Sequence, residues 1–164
     1  INLKANNPFE CHLEELPQNL EKMAQDILVE PAQKTDHCKK IAHYFECDYH
    51  MYQTRGSSVS SCENFVLGMF NVISTLLERE GVYTEVSQIK VWTSQDPYPS
   101  NGSAQALYSF GNYLKNNYTG NIATLLSTKP LGLGGIAWLD VLCTPNSGGS
   151  FGRYSYVNIN NSYN

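Results

Sequence analysis

The densest group of side chains able to bind a metal or transfer a proton lies between residues 37 and 50. It comprises three histidines, two cysteines and two acids, namely His37, Cys38, His43, Glu46, Cys47, Asp48 and His50. The spacing of His43 and Glu46 is close to the H-x-x-E-H zinc motif, but Cys47 replaces its final histidine. Residues 38–52 also read as a strand, in which His43 and Glu46 point to opposite faces and cannot bind one ion. We therefore predict no metal site within this group.

Two further patterns invite a chemical interpretation. Asp48 follows the strand, where open α/β sheets place ligand groups, but the metal-binding Asp-x-Ser-x-Ser pattern is absent, which favours a capping role. The Gly-Leu-Gly-Gly segment over 132–135 matches neither nucleotide-binding glycine motif, and no helix is predicted after it. A glycine pair before a strand is typical of a close backbone approach, so we predict an edge strand on which an extended peptide can dock.

Composition excludes several classes of protein. The 164 residues are 41% hydrophobic and carry a net charge of −4, which argues against disorder and against a nucleic-acid partner. No apolar run approaches the roughly 20 residues that span a bilayer, so we predict no membrane partner. Five cysteines without a C-x-x-C pair are unusual for a cytosolic domain of this size. We therefore expect a secreted, extracellular protein whose targeting segment has been removed.

The elements that must position these residues follow from hydrophobic periodicity. Residues 1–35 read as a lead-in with a helix between Pro17 and Pro31. Its shared apolar face comprises Leu20, Met23, Ala24, Ile27 and Leu28. In the strand over 38–52, Phe45 and Cys47 lie on one side, opposite Tyr44 and Glu46.

The strongest helical pattern follows that strand, and its apolar positions are expected to face the core. They are Phe65, Val66, Met69, Phe70, Ile73, Leu76 and Leu77, and Gly81 ends the helix. A second helix starts at Ser103, and its inward-facing positions are predicted to be Ala106, Leu107, Phe110 and Leu114. Further strands are predicted over 82–92, 122–128, 136–143 and 151–159. Strands alternating with helices predict an α/β fold with a largely parallel sheet and an antiparallel addition at its edge.

In this order, the segments resemble the reprolysin-like (adamalysin-type) metallopeptidases of the metzincin group, and the bacterial branch most closely. The pattern I-x-[VI]-W-[ST]-x-[QE]-D is met from Ile89 to Asp96. The pattern A-x-L-L-[ST]…G-L-G-G-[IV]-A-x-[LV]-x-x-[LM]-C is met from Ala123 to Cys143. Agreement covers roughly residues 37–160. The resemblance implies that residues 36–164 are the N-terminal part of a metallopeptidase catalytic domain.

The resemblance also implies a fold and a binding surface. The fold is a metzincin-type upper subdomain, a twisted and mostly parallel sheet of about five strands with an antiparallel edge strand and two main helices. The edge strand would form the rim of the active-site cleft and pair with a peptide or protein substrate in extended conformation. Its residues here are Gly134, Gly135, Ile136, Ala137, Trp138 and Leu139. Some relatives bind calcium through acidic residues at two positions that match Ala42 and Asn121 here. Neither of these residues is acidic, so no calcium site is expected.

Zinc is the cofactor that the resemblance implies for the full-length enzyme, held by the three histidines of H-E-x-x-H-x-x-G-x-x-H. The chain contains no His-Glu dipeptide, so we assign it no catalytic residue and no metal ligand. The zinc-binding helix is expected in a missing C-terminal part of the catalytic domain, and the 164 residues alone are expected to be an inactive hydrolase fragment. The alternative is a non-catalytic extracellular module that binds peptides on a metzincin-like scaffold.

The cysteines are the last candidates. In the family, a cysteine at the position of Cys143 pairs with one from the C-terminal part, so Cys143 is expected to be free or paired downstream. The other four can form two disulfides in three ways, and we favour Cys11 with Cys38 and Cys47 with Cys62. A bond between Cys47 and Cys62 would close a loop of about 15 residues. The alternative for Cys11 is a thiolate ligand to the zinc of a latent precursor.

Overall fold

Five strands and three helices make up the computed structural model within the residues that it describes, 40–99, 101–130, 134–142 and 151–159. In chain order they are β1 (Lys40–Cys47), α1 (Tyr49–Thr54), α2 (Val59–Arg79), β2 (Tyr83–Val91), α3 (Ser103–Leu114), β3 (Ile122–Ser127), β4 (Gly134–Ala137) and β5 (Tyr154–Asn158). The predicted lead-in and three of the cysteines, Cys11, Cys38 and Cys143, lie outside the described residues. No helix in the described ranges is long and apolar enough to cross a membrane.

The five strands form one sheet in the order β2-β1-β3-β5-β4. The first four strands of this order pair in parallel, and β4 pairs antiparallel with β5. The predicted fold class is therefore confirmed: an α/β domain with a five-stranded, mostly parallel sheet, an antiparallel edge pair and two main helices. It is the architecture that the resemblance implies for a metzincin upper subdomain.

The first strand presents its two faces to two different helices, as its alternation predicts. Phe45 and Cys47 are buried beneath α2, whereas Tyr44 is buried on the opposite face with the residues of α3. The strand ends at Cys47 and does not continue to residue 52 as predicted. The reason is local, because the Asp48 carboxylate accepts a hydrogen bond from the Met51 amide at 2.7 Å and starts α1.

The long helix α2 packs on the sheet through Cys62, Val66 and Phe70, which are all buried. It ends as predicted before Gly81, whose φ of +76° is favourable for glycine and lets the chain turn into β2. The prediction was wrong at the end of the helix, where Ile73 and Leu76 are exposed. They follow the helical period but lie beside the sheet-facing stripe.

The second core lies between α3 and the other face of the sheet. The predicted inward positions of α3 are all buried, and they are Ala106, Leu107, Phe110 and Leu114. They pack with tyrosines from the β2–α3 loop and from β5, namely Tyr98, Tyr154 and Tyr156. This layer fixes β5 and therefore the position of the edge strand β4 beside it.

Candidate functional site

The candidate site is the edge strand β4, which has one strand neighbour among the described residues. Its register places Gly135 opposite Val157 and Ile136 opposite Tyr156. Because backbone groups alternate between the two sides of a strand, about half of those in β4 point away from β5. Such outward N–H and C=O groups can pair with an added strand.

Gly135 brings β4 close to its neighbour. A Cβ atom built at this position would lie 3.3 Å from the carbonyl oxygen of Tyr156, a contact tighter than most side chains make. The partner strand is itself firmly held, because Asn158 donates from Nδ2 to the Lys129 carbonyl at 2.8 Å. The amide of Ile159 donates to the Ser127 carbonyl at 2.8 Å. The candidate surface is therefore a short strand packed closely against β5, which is itself hydrogen-bonded to the end of β3 and to Lys129.

The strand is shorter than the six residues of the sequence prediction. It ends at Ala137, and Trp138 leaves the ladder to pack against Tyr108 and Phe151, with ring centroids 5.8 and 5.3 Å apart. Leu139 follows with 75% of its surface exposed. Asp140 then has a φ of +57°, which turns the chain away. Gly134 to Ala137 thus offer the backbone, whereas Trp138 and Leu139 offer side chains beside it.

A buried carboxylate organises the loop that follows β2. Glu46 accepts hydrogen bonds from the hydroxyls of Tyr44 at 2.7 Å and Tyr98 at 2.5 Å, and from Nε1 of Trp92. Lys90 Nζ lies 3.5 Å from the same carboxylate and 4.0 Å from the Trp92 ring. Burial raises the pKa of both Tyr44 and Tyr98, and the nearby Glu46 carboxylate, which accepts a hydrogen bond from each hydroxyl, raises it further. These contacts explain the tryptophan of the quoted motif as a structural donor.

A second buried group joins the carboxyl ends of β1 and β3. Lys129 Nζ lies 3.2 Å from Asp96 and 3.5 Å from Asp48, and it donates to the Tyr98 carbonyl at 3.0 Å. Asp96 also accepts from the amides of Tyr49 at 3.0 Å and Tyr98 at 2.9 Å. Burial raises the pKa of Asp48, and hydrogen bonds and Lys129 oppose that effect.

The Glu46 group and the Lys129 group are each buried and held by neighbouring side chains and backbone groups, and within the described residues Oδ2 of Asp48 has only the Lys129 ammonium near it, at 3.5 Å. We therefore assign both groups a structural role. Sequence reasoning assigned no role to Glu46 beyond its strand face, and none to Lys129. Two sequence signals could have found them: Glu46 is an acid within an otherwise apolar stretch of β1, next to Phe45, and Lys129 lies two residues after the buried strand β3 ends. Asp96 was found only as the last residue of the family pattern.

Of the candidate histidines, His37 lies outside the described residues, and His43 and His50 make separate contacts. His43 stacks on Phe45 with ring centroids 4.1 Å apart, and its Nε2 is 2.7 Å from Oγ1 of Thr124. Burial lowers the pKa of His43 to about 4. His50 instead contacts Thr128 through Nδ1 at 2.8 Å. His43 and Glu46 lie on opposite faces as predicted, and the described residues contain no cluster of three metal-binding side chains. The residues in these ranges therefore do not fit a zinc site.

Cys47 and Cys62 are neighbouring free thiols, and both are fully buried. Their mutual hydrogen bond, together with burial, raises the pKa of Cys47. The favoured disulfide between them is not formed in this structure, in which the two thiols share a hydrogen bond instead. The pairing of Cys11 with Cys38 and the state of Cys143 lie outside the described residues.

The positions compared with a calcium site are direct neighbours. Asn121 Oδ1 accepts from the Ala42 amide at 2.8 Å, and the Asn121 amide donates to the Ala42 carbonyl at 2.7 Å. The Asn121 side chain therefore fastens the start of β3 to β1 by neutral hydrogen bonds. In this structure, these two positions have a structural role.

Comparison with known proteins gives one family. The family model Reprolysin_5, described as metallo-peptidase family M12, matches residues 37–163. This span contains every described strand and helix, including β4 and the loop held by Glu46. No curated protein matches the chain. The match covers the segments on which the sequence resemblance rests, whereas the bacterial branch stays a prediction.

Proposed function

The chain belongs to metallopeptidase family M12, and from this we propose that it is the N-terminal part of a secreted, zinc-dependent endopeptidase catalytic domain. In this proposal β4 is the upper rim of the active-site cleft. The substrate is a peptide or protein segment in extended conformation. The observation that carries the proposal is the position of β4 at the sheet edge, with its backbone exposed beyond β5.

Binding would use the backbone of β4 first and side chains second. An extended peptide laid antiparallel to β4 would accept from its outward amides and donate to its outward carbonyls. Such contacts recognise any sequence, which suits an enzyme that cleaves within polypeptides. The exposed side chains of Ile136, within β4, and Leu139, just after it, would contact apolar residues of the substrate.

Zinc is supplied in this proposal by a segment that the 164 residues do not contain. The family implies three histidines and a glutamate of an H-E-x-x-H-x-x-G-x-x-H helix, and the sequence lacks even a His-Glu pair. A ring nitrogen of His43 contacts the Thr124 hydroxyl, and a ring nitrogen of His50 contacts the Thr128 hydroxyl. The chain alone is therefore proposed to bind substrate weakly and to hydrolyse nothing. We expect no zinc-dependent turnover by the pure 164-residue protein, and measurable turnover would contradict this part of the proposal.

Secretion is proposed from composition. Five cysteines and a low content of charged residues, 16%, are typical of exported domains. Mass mapping of non-reduced peptides from protein isolated from its natural host tests this. Cys47 joined to Cys62 would support an oxidising compartment, and a fully reduced protein would contradict it.

N-methylated peptides test the binding mode directly. N-methylation removes an amide donor without changing the side chain, and the N–H groups of successive residues of an extended peptide point to opposite sides. We expect an inhibitor N-methylated on alternate residues to lose at least about tenfold in affinity in one register and little in the other. The enzyme carrying its zinc-binding segment is used, and equal losses in both registers would contradict binding by strand addition.

The natural coding sequence after Asn164 separates the proposal from its alternative. An intact H-E-x-x-H-x-x-G-x-x-H within a few tens of residues supports the endopeptidase. A stop codon or a broken motif supports a non-catalytic peptide-binding module, for which β4 would still be the binding strand.

A further inference from the structure

The two faces of β4 present different side chains. Ile136 lies opposite Tyr156 of β5, which is buried in the core beneath α3, and Trp138 packs against the same core. Gly135 instead lies opposite Val157, which packs with the core beneath α2. Because successive side chains of a strand alternate between its faces, Ile136 lies on the α3 face of the sheet and Gly135 on the α2 face.

The α3 face of β4 is apolar and aromatic. The Trp138 ring packs against Tyr108 of α3, with the ring centroids 5.8 Å apart, and against Phe151, with the centroids 5.3 Å apart. Tyr108 is 42% exposed and Ile136 is 36% exposed, so part of this surface faces water. We call the three residues Ile136, Trp138 and Tyr108 the β4 shelf.

The α2 face of β4 offers far less to a neighbouring side chain. Gly135 has no side chain, and Ala137 has only a methyl group. On this face β4 itself therefore contributes almost no surface that could distinguish one substrate side chain from another.

A strand added antiparallel along the edge of β4 away from β5 would have its side chains sorted by these two faces. Residues directly opposite each other in an antiparallel pair lie on the same face, with Cβ atoms about 4.5–5.5 Å apart, and diagonal neighbours are about 7–8 Å apart. The peptide residue opposite Ile136 would contact the Ile136 side chain and lie within reach of the Trp138 ring. The peptide residues on either side of it would face Gly135 and Ala137.

The chemistry of the shelf favours a large apolar side chain at that one peptide position. Such a side chain would remove the exposed parts of Ile136 and Tyr108 from water, whereas an acidic side chain would lose hydration against the same apolar atoms. Trp138 is already packed against the core beneath α3. A surface that is held in place before binding loses little conformational entropy when the substrate arrives.

We propose that the β4 shelf determines specificity, by selecting a large aliphatic or aromatic side chain in the substrate residue that pairs opposite Ile136. On either side of that residue, β4 imposes no selection. The inference rests on the proposed function, in which β4 pairs with an extended substrate. It adds the substrate class, which is an extended polypeptide segment with a large apolar residue at this one position of the pairing.

A peptide library varied at one position at a time tests the shelf in the enzyme that includes its zinc-binding segment. We expect one position at which kcat/KM is at least about tenfold higher for leucine or phenylalanine than for glutamate, and at which this ratio depends on Ile136. Ile136→Lys should lower the ratio at least about tenfold, because the ammonium group attracts the glutamate carboxylate. The two adjacent positions should keep their preferences.

Tyr83→Lys is the matched control. Tyr83 is 38% exposed and begins β2, which lies at the opposite end of the strand order from β4. It adds the same charge to the same sheet and should leave the preference at every position unchanged.

Ile136→Thr decides the test if Ile136→Lys lowers the unfolding midpoint. Threonine keeps the β-branched shape that suits a strand but replaces a methyl group by a hydroxyl. It should lower the ratio of leucine to glutamate at the same position by about threefold or more.

Three outcomes would overturn the proposal. Unchanged preferences at every position in both Ile136 variants would contradict the shelf and leave the proposed function standing. An equal response of two adjacent positions would do the same, because adjacent substrate side chains cannot both face the shelf. No cleavage of any library member would contradict the proposed function itself, and the shelf with it.

Discussion

The carboxyl ends of β1 and β3 and the edge strand β4 treat polar groups in opposite ways. At the strand ends, Glu46, Asp96 and Lys129 are buried, and their charges are met by named donors and acceptors within 3.5 Å. At β4, Gly135 and Ile136 are exposed and one side of the backbone has no neighbouring strand among the described residues. This difference shows that the domain uses its buried charged residues to hold the fold together, and leaves neutral backbone groups of β4 free to bind a peptide.

The largest expected effect is on the buried carboxylate. Glu46→Ala leaves two tyrosine hydroxyls and an indole N–H without their acceptor, and it opens a cavity beneath α3. We expect a loss of about 3–5 kcal/mol in the free energy of unfolding, measured by urea denaturation. Glu85→Ala is the control, because its ion pair with Lys40 is half-exposed and should contribute less than about 1 kcal/mol. Similar losses in both variants would show that the buried hydrogen bonds of Glu46 do not stabilise the fold.

The buried lysine is expected to rank second. Lys129→Met keeps most of the side-chain volume but removes the cation shared by Asp48 and Asp96. Leaving two neighbouring buried carboxylates without a counter-charge should cost about 3 kcal/mol at pH 7. The loss should shrink as the pH falls towards 4, because burial raises the pKa of Asp48 and its protonation removes one of the two negative charges. A loss that stays constant between pH 7 and pH 4 would count against this explanation.

His43 should make the fold sensitive to acid. Burial lowers its pKa in the folded protein to about 4, against about 6.5 in the unfolded chain, so between these values the unfolded chain binds the proton more readily. The contribution of neutral His43 to the free energy of unfolding is therefore fully present above pH 6.5, and it is lost as the pH falls towards 4. A difference of 6.5 − 4 = 2.5 pKa units, at about 1.36 kcal/mol per unit, makes the contribution of His43 to the free energy of unfolding at most about 3.4 kcal/mol. Partial exposure of the ring reduces this to about 2 kcal/mol.

The comparison of the unmodified chain with His43→Gln isolates this contribution. Asp48, whose raised pKa favours the folded state on acidification, is common to both proteins and cancels in the difference. The difference in unfolding free energy between pH 7 and pH 4.5 should be smaller in the variant. If both proteins lose the same stability over this range, His43 is not the acid-sensitive group.

Hydrophobic periodicity predicted most of the fold, because each strand and helix buries a face that repeats at its own period. It placed Phe45 and Tyr44 on opposite faces and Phe110 in the core. It did not predict that β1 stops at Cys47, because that depends on how Asp48 caps α1.

The polar framework could not be predicted in the same way. Trp92 and Tyr98 meet Glu46 across 46 and 52 residues of sequence, and no local pattern encodes such a meeting. The edge strand was found because glycines before an apolar run are a local signal. Its early end at Ala137 depends on the packing of Trp138 against Phe151, which is not local.

The most direct test of the central claim is a comparison of two substitutions at Gly135 in the enzyme that includes its zinc-binding segment. Gly135→Pro removes a backbone donor and restricts the strand, whereas Gly135→Ala keeps the donor and adds only a tight contact with the Tyr156 carbonyl. We predict that Gly135→Pro lowers kcat/KM for a peptide substrate at least about tenfold more than Gly135→Ala does, with unfolding midpoints that remain similar. Equal losses of activity in the two variants, or a loss of stability that parallels the loss of activity, would contradict the assignment of β4 as the substrate-binding edge.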